Sequence, residues 1–150
     1  MKKISTLFAG LILSLGSSLC RATLGEVINS PSTTLSTNNS SQKISTSGKF
    51  ITHEYEKDGN TIREYASESG VVFAVSWRGI SKPDLNTLFG SYFNEYKQAL
   101  DEVPKQYGVK TISMKTAKMM VRRGGRMRDP RGFAYIPSMV PEGVNIEGLP

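Results

Sequence analysis

Between Phe50 and Trp77, apolar and polar residues alternate with period two in three runs, Phe50–Glu56, Thr61–Ala66 and Val71–Trp77. Successive side chains of a strand point to opposite faces, so this pattern predicts three strands. Asp58-Gly59 and Ser67-Glu68-Ser69-Gly70 separate the runs, which makes them an antiparallel meander. Asp-Gly suits a tight hairpin turn whose central residues both need positive φ. That turn pairs Lys57 with Asn60, Tyr55 with Ile62, Glu54 with Arg63 and His53 with Glu64. A slip of one residue would set Glu54 against Glu64, two like charges directly opposite. Carried through the second turn, the register pairs Ala66 with Val71, Glu64 with Phe73 and Ile62 with Val75. One face then holds Ile51, Tyr55, Ile62, Ala66, Val71, Phe73, Val75 and Trp77 as the core, with His53 and Glu64 as a structural polar pair within it. The other face, with Thr52, Glu54, Thr61, Arg63, Tyr65 and Ser76, is expected to be partly wet.

The period then changes. Leu85, Leu88, Phe89, Tyr92, Phe93, Tyr96 and Leu100 recur at spacings of three and four, which draws one stripe along a helix. Pro83 is tolerated near the start, Ser81 or Lys82 is the expected cap, and Asp84 lies near the positive end of the helix dipole. Gly90 interrupts the pattern at about 1 kcal/mol of helix propensity, which suggests a close approach of another segment. Beyond Pro104 and Gly108, a strand is expected within Lys110–Arg122. Gly124-Gly125 should turn the chain into return strands at Arg126–Arg128 and Gly132–Ile136. The tail from Pro141 to Pro150 should run extended along an edge. The predicted fold is α+β: a three-stranded antiparallel meander, one amphipathic helix packed on it, and a C-terminal β-hairpin extending the sheet.

The N-terminus follows a different pattern. Met1-Lys2-Lys3 precedes a mostly apolar run from Leu7 to Leu19, then Cys20-Arg21-Ala22. Charged, apolar and small-residue regions in that order predict a secretory signal peptide cleaved after Ala22, and the run is shorter than the ~20 residues of a membrane span. The expected location is therefore periplasmic or secreted, with no membrane span after cleavage. Asn29–Gly48 is almost wholly small and polar, too poor in apolar residues to offset the entropy of ordering. The expected organisation is a signal peptide over 1–22, a flexible Ser/Thr/Asn-rich segment over 23–48 and a single α+β domain over 49–150.

Cleavage changes the chemistry. Cys20 is the chain's one cysteine, so the mature chain has no thiol for redox, nucleophilic or disulfide chemistry. Removing Lys2, Lys3 and Arg21 from the 19 basic residues leaves 16 against 13 acidic ones, a mature charge of +3 in place of +6. That charge is unevenly spread: Lys105–Arg131 carries nine basic residues against Asp129 alone. Arg122, Arg123, Arg126, Arg128 and Arg131 are the candidate anion- or partner-binding residues, because guanidinium forks and a Gly-Gly backbone suit phosphate or carboxylate. The plainer reading of the same residues is a solvated hairpin.

Candidate partners are an envelope or secreted protein and an anionic polymer. Nucleic acid fits poorly, since no groove-reading helix or RNA-binding signature accompanies the basic run. His53 is the single histidine, so a histidine-dependent hydrolase would have to pair it with Glu64 and a nearby hydroxyl. No closed metal set and no cofactor motif is present in the sequence. The expectation is a non-enzymatic accessory or binding module.

Ile51–Glu54, Thr61–Tyr65, Val72–Gly79, Pro83–Leu85 with Leu88–Phe93, and the C-terminal Gly124–Arg128, Gly132–Pro137 and Pro141–Val144 together resemble the bacterial domain of unknown function 2844 family. The likeness covers about Phe50 to the C-terminus. It implies a small exported single-domain protein of no established activity, and brings no catalytic residue with it.

Overall fold

A computed structural model describes residues 23–28, 43–104 and 111–149. The expected signal peptide, and the part of the expected flexible segment from 29 to 42, lie outside them. The described chain forms one antiparallel sheet of seven strands: β1 Lys43–Ser47, β2 Phe50–Lys57, β3 Asn60–Ser67, β4 Val72–Gly79, β5 Thr111–Lys115, β6 Met120–Arg126 and β7 Asp129–Tyr135. Their spatial order is β1-β2-β3-β4-β7-β6-β5. This overturns the expected three-stranded meander with an added hairpin. β1 to β4 form a four-stranded meander, the chain crosses to the far edge, and β5 to β7 return so that β7 pairs with β4. The fold remains α+β in the broad sense.

The β2–β3 register agrees with the pairing set by the Asp58-Gly59 turn, including Tyr55 opposite Ile62, Glu54 opposite Arg63 and His53 opposite Glu64. Asp58 and Gly59 both have positive φ, 53° and 72°, as that turn requires. The β3–β4 register does not agree. A bulge between Tyr65 and Ala66 moves the pairing, so Glu64 faces Val75 and Ile62 faces Trp77. Val75 and Trp77 remain on the helix-covered core face, Val72 takes the buried place expected of Val71, and Phe73 joins Ala74 in a second cluster on the opposite face. A bulge places two residues against one and so breaks strict alternation.

The helical crossover is α1 Leu85–Phe89, a 3-10 turn Gly90–Tyr92 and α2 Phe93–Glu102. Its expected apolar stripe packs on the sheet, with Leu88, Phe89 and Tyr96 buried. The cap is Asp84, whose carboxylate accepts the backbone N–H groups of Asn86 and Thr87 at 3.0 and 3.3 Å; Ser81 and Lys82 do not fill that role. Gly90 breaks the helix at φ +49°, where a Cβ would collide with Thr23. The close approach comes from Thr23–Ile28. Leu24 is buried against α1 and β4, its N–H donating to Leu88, while Gly25 N–H donates to Val72 and Val72 N–H to Glu26. These residues pack on the fold and Lys43–Ser47 pairs as β1, both within the stretch 23–48.

The C-terminal tail crosses the sheet rather than lying along its edge. Met139, Val140, Val144, Ile146 and Leu149 pack with Phe50 and Tyr135 over Tyr65, Phe73, Ala74 and Phe133. The Tyr65 hydroxyl donates to the Leu149 carbonyl at 2.6 Å. Part of the face expected to be wet is thus a second core. Gly124 and Gly125 lie inside β6, and the turn falls at Met127-Arg128. A Cβ at Gly125 would strike the Asp129 carbonyl, and one at Gly132 would strike the Trp77 ring. These glycines mark close packing within strands and not the chain reversal the sequence suggested.

Candidate functional site

The tail covers only one end of its face. Pairing across β3, β4, β7 and β6 places outward side chains in rows. Tyr65, Ala74, Tyr135 and Met120 form the first row, next to the tail cluster. The second row is Arg63, Ser76, Phe133 and Arg122, and the third is Thr61, Arg78, Arg131 and Gly124. Arg126, paired with Asp129, ends the array. Neighbouring strands lie roughly 4.8 Å apart, so Arg63 and Arg122 leave the backbone roughly 14 Å from each other with Ser76 and Phe133 between them. Next to the tail, six arginines from four strands line an open cavity of about 770 Å³, with Gly124 and Gly132 also in its lining; five of them, Arg63, Arg78, Arg122, Arg126 and Arg131, share the outward parity of these rows.

Three of these arginines are held by carboxylates. Arg63 Nε donates to Glu54, and that hydrogen bond raises its pKa further. Arg78 Nε donates to Asp129 Oδ1 at 2.8 Å, and Arg131 lies 3.7 Å from the other oxygen. The Arg78 hydrogen bond, helped by the charges of Arg78, Arg131 and Arg126, holds Asp129 below the usual carboxylate range. Arg122 and Arg126 have no ion-pair partner among the described residues. Two carboxylates therefore serve the five outward guanidinium groups at the cavity, leaving an excess of three positive charges among them. Each exposed ion pair is weak alone. Their sum is a local positive potential, with planar forks suited to phosphate or carboxylate oxygens.

Of the residues expected to bind an anion, Arg122, Arg126 and Arg131 meet on this face. Arg123 also lines the cavity but has the opposite parity in β6, and its guanidinium lies 5.9 Å from the Tyr96 ring centroid. Arg128 sits in the β6–β7 turn at φ +67° and does not line the cavity. Arg63 and Arg78 were missed as members. Arg63 was already assigned to the outer face, and Arg78 follows Ser76 by two residues on that face. Recognising the site also required the β4–β7 pairing, which joins residues about fifty positions apart and leaves no local signal.

The polar pair lies on the other face. His53 Nδ1 is 3.2 Å from Glu64 Oε2, and the Tyr55 hydroxyl donates to Glu64 Oε1 at 2.7 Å. Glu64 is 1% exposed, so both carboxyl oxygens are engaged where water is excluded. The hydroxyl in this group serves the carboxyl rather than the imidazole, whereas a hydrolytic triad places the imidazole in the middle. Among the described residues, no group of three or more His, Cys, Asp or Glu could hold a metal ion.

A barrel-less, fully antiparallel sheet with a helical crossover on one face and a basic cavity on the other defines a small α+β protein with an open sheet surface. The chain belongs to the family described as "Protein of unknown function (DUF2844)", whose model matches residues 20–149. No curated protein and no solved structure matches it.

Proposed function

We propose that this chain is an exported, non-enzymatic accessory module that binds a polyanionic ligand across the arginine face. The observation that carries the reading is the convergence of Arg63, Arg78, Arg122, Arg126 and Arg131 from four strands around one cavity, with only Glu54 and Asp129 paired to them. Guanidinium groups on adjacent strands repel one another, and an anion lying across the rows relieves that repulsion while accepting their unused N–H groups. Export is supported by the charged, apolar and small-residue order of the first 22 residues. An anionic envelope polymer fits an open, elongated face better than a small metabolite, which would need a more enclosed pocket. An acidic segment of an envelope protein presents the same chemistry.

The test is titration of the purified protein with long-chain polyphosphate, an acidic polysaccharide and neutral dextran. Binding to either anionic polymer, weakening steeply from about 50 to about 200 mM salt, is expected. Arg63→Ala with Arg122→Ala should reduce it by about tenfold or more, with the melting temperature nearly unchanged. Equal binding of dextran, or an unaffected double variant, would sink the polymer reading. A photo-crosslinking probe at Arg126 that captures one discrete acidic protein in the native host would assign the face to that protein.

A further inference from the structure

We propose that the end of the sheet carrying the β6–β7 turn docks on an anionic phospholipid surface. Met127 is 95% exposed at the tip of that turn, between Arg126 and Arg128. Ile80 is 70% exposed just past β4. Pairing puts both at one end: Asn60 faces Gly79, Arg78 faces Arg131, and Arg126 faces Asp129. Met127 therefore stands about one residue beyond the level of Ile80, roughly 3.4 Å along the strand direction. Ile80 is held there by its N–H, which donates to the Gly59 carbonyl at 3.2 Å, while its side chain rests over Gly59.

Neither apolar side chain belongs to either core cluster. A turn residue facing water is ordinarily polar or glycine, and Met127 buries almost nothing. The turn also keeps Arg128 in the left-handed region at φ +67°, where glycine or asparagine is easier. Basic groups surround the two tips: Lys57 closes the β2–β3 turn, Lys82 follows Ile80, and Arg78, Arg126 and Arg128 flank Met127. The acids at this end are Glu56, Asp58, Asp84 and Asp129. Asp129 is paired to Arg78 and Arg131, and Asp84 caps α1.

Apolar tips ringed by cations match an anionic bilayer interface, where apolar side chains enter the acyl boundary and each Lys or Arg gains roughly fivefold in partition. A fluid surface takes two tips on separate turns without matching pockets, which a protein partner would have to supply for each. Among the described residues no helix is long and apolar enough to cross a membrane. The contact stands on residues separate from the arginine cavity, apart from Arg78 and Arg126 at its border.

The experiment is co-sedimentation of the purified protein with vesicles of phosphatidylcholine alone and of phosphatidylcholine mixed with phosphatidylglycerol. Partition onto the mixed vesicles only is expected, reduced by about tenfold or more in Met127→Asp and by roughly fivefold in Arg128→Gln. A polarity-sensitive fluorophore on Met127→Cys should shift to the blue on mixed vesicles. The uncharged Met127→Ser should lose vesicle partition as well and leave titration with soluble polyphosphate unchanged, while the Arg63→Ala, Arg122→Ala pair should leave Met127-dependent vesicle binding in place. No partition onto mixed vesicles overturns the proposal and leaves the tip as a protein contact. Partition that survives Met127→Asp with an unshifted label also overturns it, and would assign the lipid to the arginine cavity.

Discussion

Trp77 and Arg78 are neighbours in β4 and leave the sheet on opposite sides. Trp77 is buried, its ring 5.8 Å from Phe89 and its indole over Gly132. The Arg78 side chain is 69% exposed and is held by one carboxylate, Asp129. The helix face is organised by shape and exclusion of water, so its residues matter to stability. The arginine face is organised by charge in contact with water, so its residues matter little to stability and much to what approaches. The tail cluster around Tyr65 and Phe73 lies between these regimes, closing half of the second face and leaving the arginine rows open beside it.

This contrast is broken most directly in the helix-face core. Phe89 is fully buried and meets Trp77 and Tyr96 at centroid separations of 5.8 and 5.0 Å. Phe89→Ala should cost about 3–5 kcal/mol, from lost burial and a cavity that neighbouring rings only partly fill. Urea unfolding followed by tryptophan fluorescence measures it. A cost below about 1 kcal/mol would mean that the helical crossover is not fastened to the sheet as described.

A smaller loss is expected at the carboxyl buried on the same face. Tyr55→Phe removes the 2.7 Å hydrogen bond to Glu64 and leaves one carboxyl oxygen unpaired in a water-free site. About 1.5–3 kcal/mol should be lost, read by the same unfolding experiment. Loss of fold stability with no change on the arginine face would support a structural reading of the His53–Glu64 pair.

Local chemistry made the β2–β3 hairpin legible, because Asp58-Gly59 sets its register and a slip would oppose two glutamates. The next register was not legible. Val71-Val72-Phe73-Ala74-Val75 is apolar throughout, so nothing in its pattern shows where the bulge lets Phe73 and Ala74 share a face. β1 was hidden for the opposite reason: Lys43–Ser47 is exposed at every position, and only pairing with β2 makes it a strand. The arginines of the β6–β7 hairpin were visible as a basic run. Their union with Arg63 and Arg78 was not, since it depends on a helical crossover that brings β7 beside β4.

The helix cap offers a prediction with a pH signature. The Thr87 hydroxyl donates to Asp84 at 2.5 Å, and this bond, joined by the Thr87 and Asn86 N–H groups, lowers the Asp84 pKa. A carboxylate with a lowered folded-state pKa contributes stability that is present above its unfolded value, near 3.9, and lost as pH falls through the folded value. Asp84→Ala should cost about 1 kcal/mol at neutral pH. The gap from the unaltered chain should narrow below about pH 4, as the native cap becomes protonated. A gap independent of pH would show that the hydrogen bonds to Thr87 and Asn86 are not made by the ionised group.

The smallest stability change belongs to Asp129→Asn, on the face organised by charge. The Arg78 hydrogen bond and the Arg131 and Arg126 charges lower the Asp129 pKa, so its contribution has the same sign: present at neutral pH and lost on acidification. The Asp129 side chain is one-third exposed and its partner Arg78 two-thirds, so solvent screens the pair, and the melting midpoint should shift less than for any variant above. Binding should move the other way. Removing the carboxylate frees Arg78 and Arg131 and raises the positive excess on the face, so polyanion affinity should rise by roughly threefold to tenfold at low salt, the difference shrinking as salt is added. Weaker polyanion binding in Asp129→Asn would show that the carboxylate positions the two guanidinium groups for the ligand, and that geometry outweighs net charge on this face.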